Sequence, residues 1–216
     1  MSRLLNQSRS TNRITAGNNP FRTSRVESTI RFQPEWLGTS WQEILDRFES
    51  YRKTRTVCAV VGPHGTGKTT FFDDLEQRLQ QQGYQLLRIS LHLTIDGRCE
   101  LPYIPDEVHP DTIVLLDSAG VIGRHFSNPF SFQQRKMWRV RMQRVAHCQI
   151  IESRHRRNRV PVLLQTSSSA SMLEAIVRRL DPEWRISSAE IASLYRRHKG
   201  NIREALRECY DRRAVG

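Results

Sequence analysis

Eight consecutive residues carry a chemistry that can be named at once: Gly62-Pro63-His64-Gly65-Thr66-Gly67-Lys68-Thr69. Their spacing is G-x-x-x-x-G-K-T. Glycines at these places let successive backbone N–H groups turn inward and cradle phosphate oxygens. Lys68 is spaced to reach β- and γ-phosphates, and the Thr69 hydroxyl to ligate Mg²⁺. The whole loop, through Thr70, is therefore the expected binding segment for a nucleoside triphosphate. His64 occupies one of its unspecified positions.

Such a loop works only between a strand and a helix. The apolar, β-branched run Thr56-Val57-Cys58-Ala59-Val60-Val61 leads in. Phe71, Phe72, Leu75 and Leu79 follow at helical spacing, which predicts a helix from Thr69 or Thr70 to Gly83, with its positive end on the anion. Before the loop, Ser40-x-x-Glu43 is a capping box for a helix over about 41–53. Further strands are expected at 85–91, 112–116 and 160–166. A helical pattern runs from about 131 to 152, with Phe132, Met137 or Trp138, Val140, Met142, Val145 and Ile150 inward. Arg154 to Arg159 reads as a loop. Two short helices close the chain, one opened by Ser187-x-x-Glu190 and one by Asn201, with Lys199-Gly200-Asn201 between them. Strands alternating with helices imply an α/β fold with a mainly parallel sheet and helices on both faces. The expected organisation is a disordered basic arm (1–30), a nucleotide-binding domain (31–180) and a small helical lid (181–216).

Ile113-Val114-Leu115-Leu116-Asp117 is four apolar residues and an acid. An Asp at the end of a buried strand near the loop can hold Mg²⁺ through water. Lys68 and Asp117 are thus the expected catalytic pair, and Thr69 and Asp117 the expected metal residues. Ser118 follows where many such ATPases carry a Glu to orient the attacking water, so turnover is expected to be slow or absent. Gln165-Thr166-Ser167-Ser168 stands where a guanine-reading Asn-Lys-x-Asp would belong, which favours ATP over GTP. The remaining histidines lack metal-ligand spacing, and His147 and Cys148 read as structural.

Together, Trp36-Leu37-Gly38 with its helix, the phosphate loop, Ile113 to Asp117, the polar end of the 160–166 strand, and Gly200-Asn201-Ile202-Arg203-Glu204-Ala205-Leu206 resemble the AAA+ and related switch-type P-loop ATPases over residues 36–213. That resemblance implies a three-layer P-loop NTPase fold with a short lid, and ATP and Mg²⁺ as cofactors. It also implies Gly38 near the adenine, Thr166 or Ser167 as a polar sensor of the γ-phosphate, and Arg203 reaching from the lid to the phosphates. Arg178 and Arg179 would act on a neighbouring subunit's nucleotide in an oligomer. Ser118, the very short lid and the missing helix between the second and third strands depart from the pattern.

The chain has 216 residues and a formal net charge of +12. Residues 1–35 carry +4, residues 36–134 carry −3, and residues 135–216 carry +11. The basic C-terminal half is a candidate surface for nucleic acid or a protein partner. No apolar run approaches the roughly 18–20 residues of a membrane span. The polar, Arg-rich start has no secretory signal, although a transit peptide shares that composition. Four dispersed cysteines (Cys58, Cys99, Cys148, Cys209) read as reduced thiols of a cytoplasmic protein. The leading expectation is an ATP-dependent switch acting on a macromolecule, with a DNA-associated ATPase as a related form. A small-molecule kinase, with Asp96 receiving a hydroxyl proton and Arg154–Arg159 covering the phosphates, is the alternative enzyme. A regulatory protein that holds nucleotide without turnover is the third.

Overall fold

The computed structural model describes residues 15–54, 57–93, 99–117, 131–157 and 159–215. Its centre is a five-stranded parallel sheet of β1 (Val57–Val61), β2 (Leu86–Ser90), β5 (Ile113–Asp117), β6 (Gln149–Arg154) and β7 (Val162–Gln165). The order is β2-β5-β6-β1-β7. A short antiparallel hairpin, β3 (His92–Leu93) with β4 (Cys99–Glu100), follows β2. β5 is buried along its whole length, as a strand covered on both faces must be.

Helices α2 (Trp41–Thr54) and α3 (Lys68–Gln81) cover one face. Their Ile44, Phe48, Phe71, Phe72, Leu75 and Leu79 pack on Cys58, Val60, Leu115 and Ile151. On the other face, Trp138 and Met142 of α4 (Ser131–Gln143) and Val145 pack with Val114, Leu116 and Ile150. These layers are compatible with a three-layer α/β architecture. A separate core joins α1 (Thr23–Thr29), α5 (Ala170–Leu180), α6 (Ser188–Arg197) and α7 (Ile202–Val215). Both expected capping boxes form: Ser40 with Glu43 and Ser187 with Glu190.

Three expectations change. First, the helix read through residue 152 stops at Gln143, and 149–154 becomes β6, the middle strand of the sheet. Four turn hydrogen bonds end the helix there: Arg144 N–H to Arg141 C=O, Val145 N–H to Met142 C=O, Ala146 N–H to Gln143 C=O and Cys148 N–H to Val145 C=O. Ile150 and Ile151 then point to opposite faces. Of the alternatives Met137 and Trp138 it is Trp138 that packs inward, whereas Val140, expected inward, is half exposed (50%).

Second, residues 15–30 are not a free arm. Phe21 is buried against α5–α7 and meets Trp184 edge-on at 5.4 Å. The fully buried Asn19 donates to the Tyr210 carbonyl (2.9 Å) and accepts from Phe21 N–H (3.0 Å). A buried polar side chain is tolerated because both its ends are satisfied. Residues 1–14 lie outside the described residues. Third, the lid core begins with α5, not at residue 181, since Leu173, Ile176, Val177 and Leu180 are members of it.

Truncating Phe21 leaves a cavity in the smaller core. Phe21→Ala should destabilise α5–α7 by about 3 kcal/mol, read as lost amide-exchange protection there while β1 and β5 stay protected. Acid should act on the same body. Burial tends to raise the Glu208 pKa, but hydrogen bonds from Arg212 and His198 and the Arg197 charge outweigh it and hold it at about 2. A carboxylate depressed from 4.5 stabilises the fold above that value and loses its contribution as pH falls from about 4.5 towards 2. Exchange protection in α6 and α7 should decline across that window, and Glu208→Gln should flatten the decline.

Candidate functional site

β1 ends where both its neighbours grip it. Gly62 N–H donates to the Arg154 carbonyl (3.0 Å), and Thr166 N–H donates to the Val61 carbonyl (2.7 Å). A Cβ at Gly62 would lie 2.1 Å from the Thr166 hydroxyl oxygen and 2.4 Å from its carbonyl oxygen, so a side chain has no room there. Gly65 (φ +73°) and Gly67 (φ +84°) take the left-handed backbone the turn requires. The Thr66 hydroxyl donates to the Pro63 carbonyl (2.9 Å) and lies 2.7 Å from the Thr166 hydroxyl. Gly67 then opens α3 with no side-chain cap. The N–H groups of its first turn are left to an anion or to solvent.

Lys68 is buried at the head of α3. Its ammonium donates to the carbonyls of Gly62 (2.7 Å) and Pro63 (2.6 Å) and lies 3.4 Å from His155 Nδ1. Burial pushes its pKa down to about 8; the Asp117 charge opposes this and the Arg203 charge adds to it. The structure thus brings together Lys68, Asp117 and Arg203, three residues far apart in sequence.

Asp117 is buried at the carboxyl end of β5. One oxygen accepts from the Ser153 hydroxyl (2.9 Å) and the other from Arg88 (3.1 Å). Thr69 is exposed at the first turn of α3. One carboxylate and one hydroxyl are hard oxygen donors of the kind Mg²⁺ accepts when phosphates and water complete its shell. Among the described residues no group of three or more His, Cys, Asp or Glu forms an all-protein metal site.

The C-terminal helices sit directly on this loop. A Cβ at Gly65 would lie 1.9 Å from Asn201 Oδ1. That same oxygen accepts from Glu204 N–H (3.3 Å) and so caps α7. Ser168 donates to the Gly200 carbonyl (2.6 Å), and Tyr195 donates to the Ser168 carbonyl (2.7 Å). These bonds tie the turn before α7 to the segment leaving β7.

Other expected residues fall elsewhere. Thr166 leaves β7, an edge strand beside β1, and braces the root of the loop; Ser167 beside it is exposed. The strand between the loop strand and the Asp117 strand is β6, and the residue at its tip is His155. His155 stacks on His64 with ring centroids 3.7 Å apart. Gly38 caps a 3₁₀ turn (Pro34–Leu37) in open space, whereas Phe32 lies against Gly67 and Phe71. Arg178 donates to the Trp184 (3.2 Å) and Ile186 (2.8 Å) carbonyls and so braces the lid, while Arg179 is exposed. Arg154 is in a strand and pairs with buried Glu152. Ser118 and Asp96 lie outside the described residues. Ser153, His155 and Arg88 were missed because no local motif marks them, and only the strand order brings them to the site; Asn201, expected to open the last helix, joins them through the docking of the lid.

No family model matches the chain, and no curated protein matches it.

Gly65 is held by both its backbone and its neighbour. Gly65→Ala should unseat Asn201 and expose the start of α7 to faster amide exchange. Asn201→Ala added to it should restore only part of the protection, because left-handed φ still costs about 1–2 kcal/mol.

Proposed function

We propose that the chain binds ATP with Mg²⁺ on the loop Gly62–Thr69 and acts as a nucleotide-dependent switch of the P-loop kind, similar to AAA+ modules. The observation that carries this reading is the meeting of three parts: a glycine loop with an uncapped helix end, a buried lysine, and a helical lid whose Asn201 packs on Gly65. An anion at the loop is favoured by the N–H groups of α3 and by its dipole. Lys68 would exchange its two carbonyl partners for phosphate oxygens. Arg203, on the first turn of α7, would add a second cation from the lid. Nucleotide charge would then hold the lid down through Arg203, and its loss would release it.

Thr69 and Asp117 would hold Mg²⁺, which supplies charge neutralisation between the phosphates. Asp117 is the better supported of the two, being fixed by Ser153 and Arg88. Of the carboxylates described here, Glu152 is buried and paired with Arg154, so it is poorly placed to activate water. This supports a slow ATPase or a nucleotide-held switch over a rapid motor. The kinase alternative loses support because Arg154 is fixed in β6 and Arg157 is bonded to Gln165.

The test is ATP affinity and turnover of the intact protein with Mg²⁺, beside Lys68→Ala. Micromolar binding, a loss of about 100-fold in the variant, and turnover that is slow or nil are expected; removing a charged hydrogen-bond donor at a phosphate is worth about 2–3 kcal/mol. Equal ATP affinity in the two proteins would reject the loop as the binding site.

A further inference from the structure

Arg88 stands on β2, beside the strand that carries Asp117, and it serves three carboxylates at once. One terminal nitrogen lies 3.1 Å from Asp117 and 3.3 Å from Asp73; the other lies 3.4 Å from Glu76. Asp73 and Glu76 belong to α3, with Asp73 one turn after Thr69. Asp117 belongs to β5, the strand beside β2, in register with Ser90. The guanidinium carbon lies 5.0 Å from the Phe72 ring centroid, which holds its plane. The side chain is 18% exposed. Its Nε is buried with no hydrogen-bond partner, so this arrangement does not use every donor Arg88 has.

We infer that Arg88 is a positioning residue that acts as an internal counter-ion for Asp117 and sets how strongly that carboxylate draws Mg²⁺. The inference rests on the nucleotide reading above. Two carboxylates on α3 give Arg88 somewhere to withdraw to, so the guanidinium has two stations. In one it neutralises Asp117. In the other it sits between Asp73 and Glu76 and leaves Asp117 to the metal's water shell. While Arg88 is engaged, free Mg²⁺ meets a carboxylate that is already compensated. Only Mg²⁺ arriving with the triphosphate brings enough additional binding to shift the arginine. Arg88 therefore makes the site select the Mg²⁺–nucleotide complex over the bare ion, and it links the occupancy of the site to the seam between α3 and β2.

The experiment measures ATP binding to the intact protein by calorimetry across a Mg²⁺ series, with an EDTA point. Arg88→Gln should lower the half-saturating Mg²⁺ about tenfold, since one unit charge at hydrogen-bond range of the ligand is removed. Its affinity for ATP in EDTA should not change. Arg88→Lys should stay near the unmodified protein. Asp73→Asn, an exposed change, should strengthen the Arg88–Asp117 bond and raise the midpoint about two- to threefold. In an Asp117→Asn background, Arg88→Gln should have no effect. Arg88→Met keeps the stem over Phe72 and carries the same expectation if the Gln variant does not fold. An Arg88→Gln or Arg88→Met midpoint that stays or rises overturns the inference, as does an equal shift in the Asp117→Asn background or an unmoved midpoint in Asp73→Asn. ATP binding would then be intact and the nucleotide reading would stand. No ATP binding by the unmodified protein, with or without Mg²⁺, overturns that reading and this inference with it.

Discussion

A lysine ammonium is buried at the positive end of a helix, and much of the molecule is arranged around that fact. Lys68 stands in the first turn of α3, where the helix dipole already disfavours a cation. Burial disfavours it further, and a neighbouring arginine adds to the effect. The compensation is local and incomplete: two loop carbonyls and the charge of Asp117. Those carbonyls are available only because the chain folds back on itself between Gly62 and Gly67. Lys68 is thus a buried cation with few partners, which supports the anion site proposed above.

The lid is coupled to this point by short-range contacts and by the path of the N-terminal segment. Asn19 and Phe21 belong to the lid core. Twelve or so residues later, Phe32 packs on Phe71 and its N–H donates to Asp74, both on α3. One stretch of chain therefore ties the small helical body to the helix that begins with Lys68. Movement of α7 away from Gly65 pulls on residues that are anchored at both ends. A lid that senses the loop through Asn201 and is tethered to α3 through Phe32 has few independent ways to move. In the proposed switch, that restriction would carry a change in phosphate charge from the loop to the lid.

Much of the fold was legible because the signals were local. β1, β2, β5 and α3 announce themselves by apolar runs and 3.6-residue spacing, and Ser187 with Glu190 by a capping box. What stayed hidden depended on partners far away in sequence. β6 reads Gln149-Ile150-Ile151-Glu152-Ser153-Arg154, with two polar ends and only two apolar residues between them. It becomes the central strand because Val57–Val61 and Ile113–Leu116 pair with it on either side. The same strand carries His155 at its tip, beside Lys68, where no local pattern marks it, while Thr166 after β7 meets the loop from the other side of β1. Likewise the polar composition of residues 15–30 concealed Phe21, a single aromatic that is enough to seat the segment.

Net charge was the least transferable signal. Residues 135–216 carry +11, but many of their arginines face inward or along the surface to structural partners. Arg141 donates to the Leu101 and Pro102 carbonyls, and Arg144 to Ile104 and Asp106. Arg178 closes the turn after α5, and Arg213 pairs with buried Asp181 beneath Trp184. Arg197 and Arg212 converge on Glu208. A guanidinium offers five donors in a fixed fork, which suits it to gathering carbonyls that a lysine would leave unmet. In a small lid with short helices, many C-terminal carbonyls need such partners. Part of the arginine content therefore answers to the packing of the lid, and a polyanionic partner would have to be met by the exposed remainder, which includes Lys136 and Arg139 on α4, Arg156 and Arg159 after β6, and Arg179, Arg185, Arg196 and Lys199 in the lid.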